Sequence, residues 1–194
     1  MQTGALGRWW PVTHDFGAIN SDIESVAMMR HKQHVDAGLE VASTSLHAPL
    51  EKCLSLLEPL VPASTKELFV ATNSGWTVFF SNGHRGSDPF LPMLQLSKAL
   101  GVTGLRACQT PDTLLYQGVI LETYDTPEAG GDENGYRRSI VAANDGGRWV
   151  FHQSGVPYSF EEVAKYGERR KRDRFTPEML ADYLDELGFP IPTD

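Results

Sequence analysis

Apolar residues recur at helical spacing in three stretches of this chain, and β-prone runs fill much of the sequence between the second and the third. Leu46, Leu50, Cys53, Leu54, Leu57 and Leu60 predict a helix that starts near Ser43 or Thr44 and stops at Pro59 or Pro62. Phe90, Leu91, Leu94 and Leu100 put a stripe on a helix ending at Gly101. Met179, Leu180, Tyr183, Leu184 and Leu187 share one face of a last helix, opened by Thr176-Pro177 and stopped by Gly188 and Pro190. Two further helices are announced by their caps. Ser21-Asp22-Ile23-Glu24 reads as a capping box before a helix from Asp22 to about Ala37, and Ser159-Phe160-Glu161-Glu162 as another before a charged helix to about Lys171.

The strand signals are Leu68 to Thr72, Trp76 to Ser81, Gly104 to Cys108, Gln117 to Tyr124, Arg137 to Ala143 and Arg148 to His152. Asn73-Ser74-Gly75 and Asn144-Asp145-Gly146-Gly147 suit tight hairpins, because Asn and Gly tolerate positive φ. Gly7 to Val12 suits either a short strand or a loop whose paired tryptophans cap a core. Helices, then hairpin-linked strands, then helices predict an α+β fold: an antiparallel sheet flanked by N-terminal and C-terminal helices, in a single domain over 1–194.

Composition narrows the class. With 41% hydrophobic and 22% charged residues, the chain is an ordinary globular one, and no apolar run is long enough to span a bilayer. No basic segment followed by an apolar stretch opens it, so the expected location is the cytoplasm. Cys53 and Cys108 sit far apart in apolar segments and have no zinc or disulfide spacing. A net charge of −8 repels nucleic-acid phosphates and attracts a basic protein.

Candidate chemistry competes at each point with a simpler explanation. Gly83-His84-Arg85-Gly86 could cradle an anion, but it lacks the Lys-Ser/Thr of a P-loop and the third glycine of a dinucleotide fingerprint. A strand-to-helix connection capped by Ser87 or Asp88, with Pro89 in the first turn, explains the same residues. His31 and His34, with Asp36 or His14, could face one metal, but they lack the spacing of the metalloprotease helix and read better as solvent-facing. Ser74, Ser154 and Cys108 have no nucleophile-elbow context, and pairing any of them with His47 or His152 would require the fold to bring them together. No cofactor, metal or catalytic residue is therefore assigned. The basic run Arg169 to Arg174 is interspersed with Glu161, Glu162, Glu168 and Asp173, so intrahelical pairing is expected to neutralise it and nucleic acid is not the expected partner. Glu122, Asp125, Glu128, Asp132 and Glu133 follow one another with no Lys or Arg between them, in what reads as a mobile loop. They are either an exposed hairpin tip or carboxylates offered to a cationic partner.

The wording Ser74-Gly75-Trp76-Thr77-Val78-Phe79-Phe80-Ser81-Asn82-Gly83 with Gly86-Ser87-Asp88-Pro89 resembles a family of bacterial proteins encoded beside Rhs-type polymorphic toxins, which look like their immunity proteins. The resemblance extends to the stretch from Arg138 to Phe151 and to Arg172-Asp173-Arg174-Phe175-Thr176-Pro177. It implies an immunity protein that binds a cognate toxin domain and occludes its active site, with no catalytic set of its own. The charge balance makes the expected toxin basic. The expected contact residues are Glu122, Asp125, Glu128, Asp132 and Glu133, with His84, Arg85 and Asp88 as a second patch. The alternative is a small hydrolase or transferase with a pocket near the 82–88 loop.

Overall fold

The computed structural model describes residues 9–189. Its frame is a seven-stranded antiparallel sheet in the order β2-β3-β1-β4-β5-β6-β7, built from β1 (Asp15–Ile19), β2 (Glu67–Ala71), β3 (Thr77–Ser81), β4 (Gly104–Gln109), β5 (Gly118–Tyr124), β6 (Tyr136–Asp145) and β7 (Arg148–Gly155). The helices are α1 (Ile23–Asp36), α2 (Leu50–Ser55), α3 (Phe90–Leu100) and α4 (Pro177–Glu186). The fold is thus α+β, with helices at both ends of the chain, as the order of sequence signals implies.

Alternation along the strands divides the buried residues into two cores. On one face Ala18, Leu105, Ala107, Leu121, Ile140 and Ala142 meet Leu54 and Leu57 beside α2, and Met179, Leu180, Tyr183 and Leu184 of α4. On the other, Ile19 and Phe79 meet Val26 of α1 and Met93 and Leu96 of α3. β3 and β4 both run antiparallel to β1, so α3 crosses over β1 to join them. Gly17 makes that crossing close: a Cβ there would lie 2.4 Å from the Met93 Cγ.

Several expectations need correction. The strand β1 lies inside the sheet, between β3 and β4, but gives almost no sequence signal, because Asp15-Phe16-Gly17-Ala18-Ile19 carries an Asp and a Gly in five residues. Of the ambiguous Gly7 to Val12 segment, 9–12 form turns and not a strand, while Gly7 and Arg8 lie outside the described residues. The helix expected from 43 or 44 to 59 or 62 is cut to Leu50–Ser55. Pro49 disfavours helical backbone at Ala48, and Pro59 does the same at Glu58. For α1 the cap is Asp22, whose carboxylate accepts from the Ser25 amide, and not Ser21. The charged helix from 159 to 171 is replaced by two short 3-10 helices, Val163–Gly167 and Lys171–Asp173. Its buried positions, Glu161 and Tyr166, stand five apart, a spacing that no single α-helical face provides.

The hairpin at 144–147 forms as expected. Asp145 pairs with Arg148, which leaves Gly146 and Gly147 as a two-residue loop with φ of +64° and +99°. Positive φ at both central positions is the signature of the type I′ turn, and the Asn144 Oδ1 accepts from the Gly147 amide. Nothing lies within 4 Å of a Cβ built at either glycine, so backbone conformation alone selects them. Replacing both by valine should lower unfolding free energy by about 1–3 kcal/mol, read by urea titration. Wild-type stability in that variant would remove the turn assignment.

Candidate functional site

The two faces of the sheet are not equally covered. Strand pairing places Asp15, Cys108, Ile120, Val141 and His152 in one row across β1, β4, β5, β6 and β7, and Gly17, Arg106, Glu122, Ser139 and Ser154 in the next. Both rows lie on the face that carries α1 and α3, and those helices contact β1, β2, β4 and β5. Toward β6 and β7 this face opens to solvent. Ile120, Val141, Ala143 and Val150 are half-buried there, and His152 and Ser154 are exposed. The result is half a sheet with apolar β-branched residues facing outward and no helix among the described residues to cover them.

A charged network marks the boundary between the covered and open halves. The Arg106 guanidinium donates to Asp15 at 2.6 and 3.0 Å and lies 3.3 Å from a Glu122 oxygen, which also accepts from the Tyr124 hydroxyl at 3.0 Å. Burial pushes the Asp15 carboxyl up against the pull of Arg106. Burial works to lower Arg106, but Asp15 and Glu122 outweigh it and hold the guanidinium firmly protonated. Burial, with the Asp15 charge behind it, raises the Cys108 thiol, so this cysteine is a poor nucleophile. Phe90, Tyr124 and Tyr136 form a cluster of tilted and edge-to-face rings beside the network, with centroids 5.8–6.3 Å apart.

The acidic stretch divides into framework and rim. Glu122 is committed to Arg106 and Tyr124, so it belongs to the floor of the open face and only 14% of its side chain is accessible. Asp125 is buried and accepts from the Thr103 hydroxyl at 2.7 Å, which corrects its expected place on the surface. Burial raises its carboxyl against that bond. Asp132 accepts from the amides of Asn134 and Tyr136 at 2.8 and 2.9 Å, and its carboxylate shapes the turn. The segment expected to be a mobile loop is therefore a hydrogen-bonded turn, closed by Asp125 N–H to Gly135 C=O and tightened by a 3-10 turn at Pro127–Ala129. Glu128 and Glu133 are exposed with no ion-pair partner among the described residues, and they stand at the end of the β5–β6 hairpin. The turn reaches α3, because a Cβ at Gly135 would meet Lys98 and Leu94.

His84, Arg85 and Asp88 are exposed and border a second feature, an open depression of about 440 Å³. Its walls include Arg30, Ser64, Glu67, Ser81 and Leu91. The Arg30 guanidinium is bidentate to Glu67 at 2.6 and 2.9 Å, and His34 adds a 3.1 Å contact to the same carboxylate. Burial works to raise Glu67, but Arg30 and His34 outweigh it and hold the carboxyl below its usual range. The expected caps for α3 are not used. Pro89 takes the N-cap position without a side-chain bond, while buried Ser87 donates to the Val12 carbonyl at 2.9 Å and accepts from the Ser81 amide. His31 is exposed and touches Ser43, whereas His34 turns inward to Glu67. Among the described residues no three His, Cys, Asp or Glu side chains are placed to share a metal ion, and no helix is long and apolar enough to cross a membrane.

The open face escaped sequence reasoning because each of its residues is unremarkable alone. Ile120, Val141 and Val150 look like core positions until the register shows them in one uncovered patch. One signal was available: Arg106 interrupts the apolar run of β4, and a charge at a strand's centre demands a partner nearby. That partner, Asp15, lay in the strand that composition concealed. Compared with family models, with curated proteins and with solved structures, this chain matches none.

Proposed function

We propose that this chain is an immunity protein that binds and neutralises a cationic toxin domain, with the open half of its sheet as the contact surface. The observation that carries the reading is the partly exposed apolar patch of Ile120, Val141, Ala143 and Val150, with no helix over it among the described residues, on a ladder whose far end carries the exposed Glu128 and Glu133. A protein partner can desolvate such a patch, and the exposed carboxylates at the far end of the hairpin attract a cationic one over long range. The net charge of −8 favours a basic partner, and inhibition by occlusion needs no catalytic group. The Arg106 network gives the floor a fixed polar edge against which register can be set.

The test is co-expression with the product of any toxin-like gene found beside this one, followed by measurement of survival and association rate. Val141→Arg should leave folding intact, since the position is half open, and weaken binding by about tenfold or more as a charge enters the centre of the contact. Glu128→Lys with Glu133→Lys should slow association several-fold at low salt and reduce its salt dependence, because these charges act over long range. Full protection by both variants would remove this interface. A second reading, a small hydrolase or transferase, rests on the 440 Å³ depression beside His84, Arg85 and Asp88. Turnover of a substrate by the isolated protein, lost in Arg85→Ala, would favour it.

A further inference from the structure

On the opposite face of the sheet, at its β7 edge, lies a site of different charge. Residues 168–174 contain five basic and two acidic side chains, a net of +3 within a chain of net −8. An α-helix through this segment would have paired those charges at i,i+4. The backbone instead makes a 3-10 turn at Lys171–Asp173, pinned by an Arg174 Nε bond to the Glu168 carbonyl at 2.7 Å. Intrahelical neutralisation is thereby lost. Arg172 keeps a 3.5 Å contact with its neighbour Asp173, and both side chains are about half accessible. No carboxylate lies within 4 Å of the heads of Arg169, Arg170 or Lys171 among the described residues.

The same turn packs on β7 and carries these cations to an aromatic ring. Trp149, paired with Asn144 and half-buried at the margin of the core, lines a depression of about 350 Å³ together with Arg170, Lys171 and Arg172. Two arginines and a lysine lining one open depression match a group that carries several negative charges on few atoms. Phosphate does this better than carboxylate, and guanidinium binds it with two parallel bonds. The indole adds a flat apolar surface to the same space, on which a base can lie. The volume suits one compact ligand.

We propose that the depression formed by Trp149, Arg170, Lys171 and Arg172 binds a nucleotide unit, its base against the indole and its phosphates on the three cations. The site is independent of the toxin-binding reading, because it uses the other face of the sheet. The unit can come from a free nucleotide or from a single strand of nucleic acid, and both present this chemistry.

The experiment titrates the full chain at low salt with ATP, with pyrophosphate, with a labelled uridine oligonucleotide and with a glutamate oligomer of similar charge. ATP or the oligonucleotide should bind, and whichever binds should do so at least tenfold more tightly than pyrophosphate. For three phosphates engaged, the oligonucleotide's log K should fall against log salt with a slope of about −2. The combined variant R170E, K171E and R172E, altered only at solvent-facing ends, should lose at least tenfold, while circular dichroism confirms that it stays folded. Trp149→Leu should remove this advantage over pyrophosphate but keep pyrophosphate binding. Competition by ATP at the oligonucleotide's own concentration range identifies a free nucleotide as the ligand, and binding of the oligonucleotide alone identifies a strand. The proposal is overturned if neither binds, if the charge-reversed chain binds as well as wild type, if pyrophosphate binds as tightly as whichever of ATP and the oligonucleotide binds, or if the glutamate oligomer competes as well as the oligonucleotide.

Discussion

Glu161→Ala should lower the unfolding free energy by about 3–5 kcal/mol, enough to bring a domain of this size close to its folding threshold. The reason is the Arg138–Glu161 pair, whose side chains are both completely inaccessible. Arg138 donates through Nε and a terminal nitrogen to the Glu161 carboxylate at 2.9 and 2.6 Å, and its other terminal nitrogen reaches the carbonyls of Ser154 and Gly155. Glu161 also accepts from the Tyr158 amide at 2.9 Å and the Tyr166 hydroxyl at 2.8 Å, and Tyr166 in turn meets the Tyr183 hydroxyl. No buried side-chain nitrogen or oxygen in this cluster lacks a hydrogen-bond partner, so removing the carboxylate leaves a guanidinium buried without its counter-charge. Burial works to lower the Arg138 guanidinium, but Glu161 outweighs it and keeps the charge in place. Arg138→Met should cost a similar amount. The double variant should be less damaged than the sum of the two single ones, because the second change no longer strands a charge. Chemical denaturation of all four proteins measures this, and strict additivity would mean that the pair is not the source of the effect.

Leu184→Ala should cost about 2–5 kcal/mol, because it empties a fully buried site that the small side chain cannot refill. Leu184 stands on the inner face of α4 with Met179, Leu180 and Tyr183, while Asp182, Asp185 and Glu186 point to solvent. The helix is begun by Thr176, whose hydroxyl accepts from the Met179 amide, with Pro177 at its first position. It rests on β5, and Phe160 and Phe175 pack on the Tyr183 ring with centroids 5.6 and 5.8 Å away. Asp185→Ala, on the outer face of the same helix, serves as the control and should stay within about 0.5 kcal/mol of wild type. A thermal melt in which the two variants match would show that α4 is peripheral to the core.

Both effects bear on function through the frame. The Arg138–Glu161 pair ties the segment after β7 to the start of β6, and that segment leads into the turn carrying Arg170, Lys171 and Arg172. Loss of the pair should therefore weaken nucleotide binding as well as stability, whereas charge reversal at the turn should weaken binding alone.

Elements that rest on local chemistry were legible in the linear chain. The 144–147 hairpin follows from two glycines that accept positive φ, and α4 from a capping threonine, a proline in the first turn and a one-sided stripe. The α+β class follows from the order of such signals. Tertiary contacts decided the rest, because they repay local costs that sequence patterns register only as costs. An Asp and a Gly make β1 a poor strand alone, yet Asp15 is held by Arg106 and Gly17 admits α3, so it becomes an interior strand of the sheet, between β3 and β4. Ser159 to Lys171 reads as a helix alone, yet the pull of Arg138 on Glu161 breaks it into short 3-10 helices. Carboxylates adjacent in sequence were sorted by the same means: Asp125 went inside, Asp132 into the turn, and Glu128 and Glu133 to the surface. Which apolar residues of β5 to β7 would remain uncovered depended on where α3 ends its contact with the sheet, and no local pattern carries that information.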